Sequence, residues 1–277
     1  MSEQAARSAA RSEPQASEAE ELGHDWTGRV AIVTGAGSGI GRATAQRVLA
    51  SGGRVVAVDL DAKGIAAFDG VAGAKTLAGD VTREATNEAA VAAAAELGGV
   101  SALILNAGLP ATGAIDQVDL AAFDRVLDVN LRAVVIGVRA ALPALRRATA
   151  PAIAVTASVS GLGGDPNLWA YNAAKGGAVN LVRSLALDLG REGIRVNAVC
   201  PGPTHTGMTQ GIQQSPAVHE ELRRHVPLGR WGEAEEVAAV LVFLCSPAAS
   251  FVNGAIVPVD GGVFASSAQF TPWGVGV

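Results

Sequence analysis

The chain reads as an α/β protein: a single doubly wound domain built on a parallel sheet of about seven strands, with helices on both faces. Three observations predict this. Short apolar runs alternate with longer helical patterns from residue 29 to residue 262, the order expected of right-handed βαβ crossovers. The composition is 49% hydrophobic but only 4% aromatic, so the core is aliphatic and the strands suit burial on both faces. The 34 glycines allow many close backbone approaches, and 277 residues suffice for one large domain.

Each element has its own signal. RVAIVTG (29–35) is a strand running into glycine, and GRATAQRVLASGG (41–53) is a helix closed by Gly52 and Gly53. RVVAVDLD (54–61) and AKTLAGD (74–80) are the next two strands, followed by the helical REATNEAAVAAAAELGG (83–99). SALILNAG (101–108) is a fourth strand, and one long helix is predicted from about Leu120 to Arg147. PAIAVTASVS (151–160) is a fifth strand, Trp169 to Arg191 a helix, and GIRVNAVCPG (193–202) a sixth strand. GEAEEVAAVLVFLCS (232–246) is a helix with acids in its first turn, and AIVPVDGG (255–262) is a short seventh strand. No internal repeat or interdomain linker interrupts this order.

The ends differ in character. Residues 1–26 are rich in Ala, Ser, Glu and Arg and read as a disordered leader; without an apolar core segment they make no secretory signal. Residues 27–262 form the domain, and 263–277 are a tail whose Phe270 and Trp273 are candidates for packing on a neighbouring subunit or over its pocket. A net charge of −5 gives no basic footprint for nucleic acid, and no apolar run is long enough for a membrane helix. Cys200 and Cys245 sit in apolar strings and make no disulfide framework, which fits a reducing cytoplasm. The four histidines lack metal-ligand spacing, with His219 and His225 among charged residues of a surface helix; no metal is expected.

The first strand runs into TGAGSGIG (34–41). Gly35, Gly39 and Gly41 let the chain turn tightly and approach a pyrophosphate, while the helix beginning near Ile40 offers free N–H groups and its positive end. The spacing is Gly-x-x-x-Gly-x-Gly and departs from the G-x-G-x-x-G fingerprint. Asp59 closes the second strand 18 residues after Gly41. A carboxylate there can accept from the 2′- and 3′-hydroxyls of an adenosine ribose and repels a 2′-phosphate. No arginine stands in the glycine turn or directly after Asp59, so NAD is expected over NADP.

LWAYNAAKGG (168–177) contains the chain's one tyrosine, Tyr171, and one of its three lysines, Lys175, four places later. In a helix the two share a face. An ammonium within about 4–6 Å lowers an acid's pKa by roughly 1–3 units, bringing a phenol of pKa about 10 closer to neutrality. A Tyr packed at a helix interface beside a solvated Lys is the other reading of these four letters.

TGAGSGIG, NAG (106–108), Asn130, Ser158 and Tyr171-x-x-x-Lys175 occur in order, with Ser158 thirteen residues before Tyr171. Over residues 27 to 262 the chain resembles the short-chain dehydrogenase/reductase family. The resemblance implies a Rossmann-type domain and hydride transfer between nicotinamide and a secondary alcohol or its ketone. It implies Tyr171 as acid/base, Lys175 acidifying it and holding the nicotinamide ribose, Ser158 on the reacting oxygen, and Asn130 holding a water that links Lys175 to solvent. It places Gly35, Ser38, Gly39, Ile40, Gly41, Asp59, Leu60, Asp80, Val81, Asn106, Ala107, Gly108, Pro201, Gly202, Thr204 and Thr206, with Tyr171 and Lys175, along the cofactor. Substrate contacts are expected from Ser158, Tyr171, Trp169 and Met208, with Leu109, Leu168 and Ile212 also marking an apolar pocket. A homo-oligomer, dimer or tetramer, is expected. Two other functions fit these letters: an NADPH-dependent 3-oxoacyl thioester (acyl-carrier-protein) reductase, and a dinucleotide-binding regulatory protein without catalysis.

Overall fold

The computed structural model describes residues 25–110, 113–117 and 119–266. Most of the expected leader and the tail residues Phe270 and Trp273 lie outside the described residues. One boundary of the leader is corrected: Trp26, assigned to it above, is fully buried and packs in the core near Val48 and Gly53.

The strands are β1 (Val30–Thr34), β2 (Arg54–Asp59), β3 (Ala74–Ala78), β4 (Ala102–Leu105), β5 (Ala152–Thr156), β6 (Arg195–Pro201), β7 (Thr204–His205), β8 (Gly232–Glu233) and β9 (Ile256–Val259). Seven of them form one sheet in the order β3-β2-β1-β4-β5-β6-β9, every pair parallel. The helices are α1 (Gly39–Ala50), α2 (Ala62–Ile65), α3 (Glu84–Glu96), α4 (Leu120–Leu127), α5 (Ala133–Leu145), α6 (Trp169–Gly190), α7 (Gln210–Gln213), α8 (Pro216–Arg224) and α9 (Ala234–Cys245).

Alternation along the strands explains the two layers. Val30 and Ile32 of β1 join one core cluster with Ala90 and Ala94 of α3, Val134 and Val138 of α5, and Val179 and Val182 of α6. Ala31 and Val33 face the other side, with Ala45 and Val48 of α1 and Val237 and Leu241 of α9. A side chain fully buried in this way contributes about 1.5–3 kcal/mol for Val or Leu. Burial on both faces is why the strands show no polar alternation in sequence.

The long helix expected from Leu120 to Arg147 is divided. Between α4 and α5 the five residues Asp128–Arg132 form a π turn, which places one extra residue in the spiral. Strand order reverses between β1 and β4, which opens a crevice beyond their carboxyl ends, the usual ligand position in such sheets.

Candidate functional site

The glycine turn between β1 and α1 fills one side of this crevice. Gly35 (φ +67°) and Gly39 (φ +48°) adopt the left-handed region, which favours glycine. A Cβ on Gly41 would fall 2.0 Å from the Gly35 carbonyl oxygen, so only glycine lets α1 begin this close to the turn. Ser38 caps α1 without using its side chain, leaving hydroxyl and terminal N–H groups to face an anion. Thr34 ties the turn to β4, its hydroxyl accepting from the N–H groups of Asn106 (3.0 Å) and Ala107 (3.1 Å). The Asn106 amide donates back to the Thr34 carbonyl at 3.2 Å. The cradle fits a dinucleotide pyrophosphate.

Asp59 is held in the same crevice. Its carboxylate accepts from Gly37 N–H at 2.8 Å and from Asp61 N–H at 2.9 Å, and a Cβ on Gly37 would meet the carboxylate carbon at 2.8 Å. Each oxygen keeps lone pairs for further donors. Leu60 beside it is 67% exposed. Asp80 accepts from Thr82 N–H (2.9 Å) and hydroxyl (2.7 Å). Burial opposes its charge, but these bonds and Arg125 hold its carboxyl below the usual range. Val81 is buried next to it.

Sequence reasoning missed an arginine here. Arg42, one residue past Gly41 on α1, turns its guanidinium back to the carbonyls of Gly37 and Gly64. It reads as an ordinary polar helix residue, and its place right after the third glycine was the available signal.

Ser158, Tyr171, Lys175 and Asn130 come together on the other side. Ser158 leaves β5 as the cap of a short turn, Val159–Gly161. A Cβ on Gly161 would lie 2.7 Å from the Lys175 carbonyl, so this glycine lets the turn lie directly on α6. Ser158 is thereby brought near Tyr171, close enough to pull its phenol down. Lys175 is buried, donates to the Thr156 carbonyl at 2.8 Å, and has its Nζ 5.7 Å from the Tyr171 ring centre. Asn130 sits in the π turn and donates to the carbonyls of Leu109 (3.0 Å) and Val126 (3.1 Å). Its Oδ1 is buried without a partner and faces Gly108, whose added Cβ would lie 2.7 Å from that oxygen and 3.6 Å from Lys175 Nζ.

The electrostatics correct one expectation. The sequence predicts that Lys175 acidifies Tyr171, whereas burial comes first and raises the phenol; Ser158 pulls it down, and Asp165 and Cys200 push it up. Burial also weakens the ammonium, bringing Lys175 down to about 8. The Cys200 thiol below them is pushed up to about 11 by burial and is neutral.

The segment after β6 closes the crevice. Pro201 is buried, and Gly202 lies against Asp260, whose Cβ would be 2.7 Å from an added Cβ. Thr204 is buried with its hydroxyl donating to the Gly202 carbonyl at 2.9 Å, so that hydroxyl is engaged by the backbone. The Thr206 side chain lies over the glycine turn, 3.1 Å from where a Gly39 Cβ would stand. Met208 is 47% and Ile212 38% exposed on the next turns. Leu109 and Leu168 are half-buried. Trp169 stacks on Phe123 of α4, ring centres 5.2 Å apart, in a small cluster with Val126, Ala170 and Ala174. The surface-helix reading holds for exposed His225, but His219 stacks on buried Trp231 (4.6 Å), which also stacks with His205 at 5.3 Å. The Phe264 ring lies 3.7 Å from an added Cβ on Gly163, bringing the turn after β9 onto the loop before Tyr171. Among the described residues no His, Cys, Asp and Glu group could hold a metal, and no helix is long and apolar enough to cross a membrane.

Comparison with known proteins agrees with this geometry. The family profile described as enoyl-(acyl carrier protein) reductase matches residues 35–264. Meso-2,3-butanediol dehydrogenase of Serratia marcescens is 42% identical over 248 residues, covering 87% of this chain and 96% of that protein. 2-(S)-hydroxypropyl-CoM dehydrogenase 3 of Xanthobacter autotrophicus is 41% identical, covering 85% and 96%. The crystal structure of levodione reductase superposes with a TM-score of 0.82 at 38% identity, covering 87% of this chain and 99% of that one. Other solved relatives carry either cofactor, NADH in a 3-ketoacyl-(acyl-carrier-protein) reductase from Brucella melitensis (34% identity, TM-score 0.81, 86% and 99% covered) and NADP in a protein from Beutenbergia cavernae (33%, 0.82, 88% and 99%).

Proposed function

The chain belongs to the short-chain dehydrogenase/reductase family of NAD(P)-binding oxidoreductases acting on CH–OH groups, and from that premise we propose that it oxidises a small, mostly apolar secondary alcohol with NAD. One observation carries the reading: Ser158, Tyr171, Lys175 and Asn130 converge beside the glycine turn at the carboxyl edge of the sheet.

Bound along Gly35–Gly41, Asp59 and the Asn106–Gly108 corner, the dinucleotide supplies the hydride acceptor. Tyr171 takes the proton of the alcohol, a positioned transfer contributing about 10²–10⁴-fold. Ser158 holds the reacting oxygen. Lys175 spends one N–H on Thr156 and has two more for ribose hydroxyls. The unpartnered Asn130 Oδ1 accepts from a water beside Lys175. Met208 and Phe264 form the open apolar wall of the substrate site. Asp59 favours NAD, since its carboxylate repels a 2′-phosphate, while Arg42 is engaged by two carbonyls. Two buried free cysteines fit a reducing cytoplasm. Exposed Leu187 (77%) and Phe251 (104%) fit a homo-oligomer, checked by light scattering.

The test is a screen of secondary alcohols and ketones, butane-2,3-diol included, following NADH absorbance in both directions. A thermal-shift comparison of NADH with NADPH accompanies it, since a ligand at 100 Kd adds about 2.7 kcal/mol. Alcohol-dependent NADH formation and greater stabilisation by NADH are expected. Tighter NADPH binding with turnover of 3-oxoacyl thioesters alone would replace this reading with a 3-oxoacyl thioester reductase, the activity named for the Brucella melitensis relative.

A further inference from the structure

Three aromatic rings meet at the base of the segment that follows β6. His205 stands in β7, between Thr204 and Thr206. Trp231 stands just before β8, which pairs with β7 in parallel, Thr204 against Gly232. The Trp231 ring is buried, and its N–H meets no acceptor among the described residues, so it serves as an apolar face. His219 of α8 stacks on it at 4.6 Å and His205 at 5.3 Å. The two imidazoles are 5.9 Å apart, and all three rings lie within 28° of parallel.

This stack matters because little else holds α8 to the body. Among the described residues of α8 none is buried. Arg223 bonds Glu220 of its own helix and the Gly229 carbonyl of the chain just after it. Val226, buried past the helix end, fixes where the chain re-enters the body. The near end of the segment is tied to β7 as well. Thr209 Oγ donates to the Thr204 carbonyl at 2.7 Å, and Gln213 Nε2 to the Thr206 carbonyl at 3.2 Å. Residues 207–219, which carry Met208 and Ile212, are thus held at one end by the backbone of β7. At the other end they are held by the His205 and Trp231 rings. The same short strand lays Thr206 over the glycine turn.

We propose that His219 is a positioning residue for the substrate, its ring seating α8 so that Met208 and Ile212 stay beside the reacting alcohol, and that charging both imidazoles unseats it. The proposal deepens the dehydrogenase reading and rests on it. One imidazolium over an indole face is attracted by the negative π surface, whereas two of them 5.9 Å apart repel. A histidine in water titrates near about 6.5, so the seat is firm above that value and loosens as pH falls below it. The charged groups around the pair come from three elements. On α8, Glu220 favours a proton on His219 while Arg223 and Arg224 oppose it. Glu233 of β8 is in register with His205, and Arg230 beside Trp231 is paired with Glu236 of α9.

Two variants test the parts separately: His219→Ala removes the ring, and His219→Phe keeps a stacking ring that takes no proton. At about pH 8, where ordinary histidines are neutral, trypsin should cut after Arg223 and Arg224 faster in His219→Ala than in wild type. In His219→Phe it should cut at the wild-type rate. This readout needs no substrate. In oxidation of butane-2,3-diol with NAD, His219→Ala should raise KM roughly two- to tenfold, the size of one aromatic pair. Its kcat should be kept, and NADH should still raise its melting temperature. Lowering the pH from about 8 to about 5.5, across the ordinary histidine range, should raise KM more in wild type than in His219→Phe. Unchanged cutting in His219→Ala overturns the seat, and an unchanged KM overturns its role toward the substrate. An acid-side rise in KM as large in His219→Phe as in wild type overturns the part given to the proton. If wild-type enzyme turns over no alcohol while His219→Ala is still cut faster, the dehydrogenase reading fails, and His219 keeps the seat but loses the substrate role.

Discussion

At the amino edge of the sheet, Arg29 and Arg195 are buried with their guanidinium groups spread over backbone carbonyls. Arg29 donates to Thr149, Ala150 and Cys245, and Arg195 to Leu244, Ser246 and Val252. Three of these residues, Leu244, Cys245 and Ser246, lie at or just after the last turn of α9, where a cation also meets the negative end of the helix. At the carboxyl edge Lys175 is equally buried yet donates to Thr156 alone. The two arginines are enclosed by acceptors, whereas Lys175 keeps donors to spare, as its proposed role on the ribose hydroxyls needs.

That contrast can be broken one edge at a time. The largest effect is expected from Tyr171→Phe, which should lower kcat by about 10²–10⁴-fold while NADH still raises the melting temperature; near-normal turnover would refute the acid/base role. Next comes Arg195→Met, which strands three carbonyls and should cost about 3 kcal/mol in urea unfolding, with kcat of the folded fraction unchanged. A loss of kcat without loss of stability would move Arg195 into the site. Lys175 should sharpen the comparison through pH. Its folded value is about 8 against an ordinary 10.5, so between these values the unfolded chain holds more protons and stability rises with pH. Lys175→Met should remove that rise, and an identical pH–stability curve would show that the ammonium is not desolvated. The smallest effect belongs to Trp169→Ala. Loss of its stack on Phe123 should cost roughly 1–2 kcal/mol in the same unfolding assay. A raised KM for the alcohol, with stability unchanged, would instead make Trp169 a substrate contact.

The sheet was legible because strands buried on both faces are unbroken apolar runs between glycine-rich corners. All seven of its strands fall inside the predicted runs, but those runs overshoot at their carboxyl ends. The fourth strand stops at Leu105 and the fifth at Thr156, where Asn106–Gly108 and Ala157–Ser158 leave the sheet to form the site. The proposed catalytic set, Asn130, Ser158, Tyr171 and Lys175, was picked out by its spacing, and the fold brings the four to one side of the crevice. What escaped depends on where side chains turn. Arg42 reads as a helix surface residue until its guanidinium folds back, and His205 and His219 are ordinary polar letters until the chain stacks them on Trp231. Trp26 sits within a polar leader pattern, and only the core shows that it is buried.

The π turn at Asp128–Arg132 has a consequence for how this chain can change length. The π turn takes up its extra residue as a local bulge, so deleting one residue there would restore regular winding with α4 and α5 still in phase and Val134, Val138 and Ala141 still in the apolar layer. What would be lost is the widened turn that holds Asn130 against Gly108 beside Lys175. A one-residue deletion can therefore spare the fold while emptying this corner of the crevice.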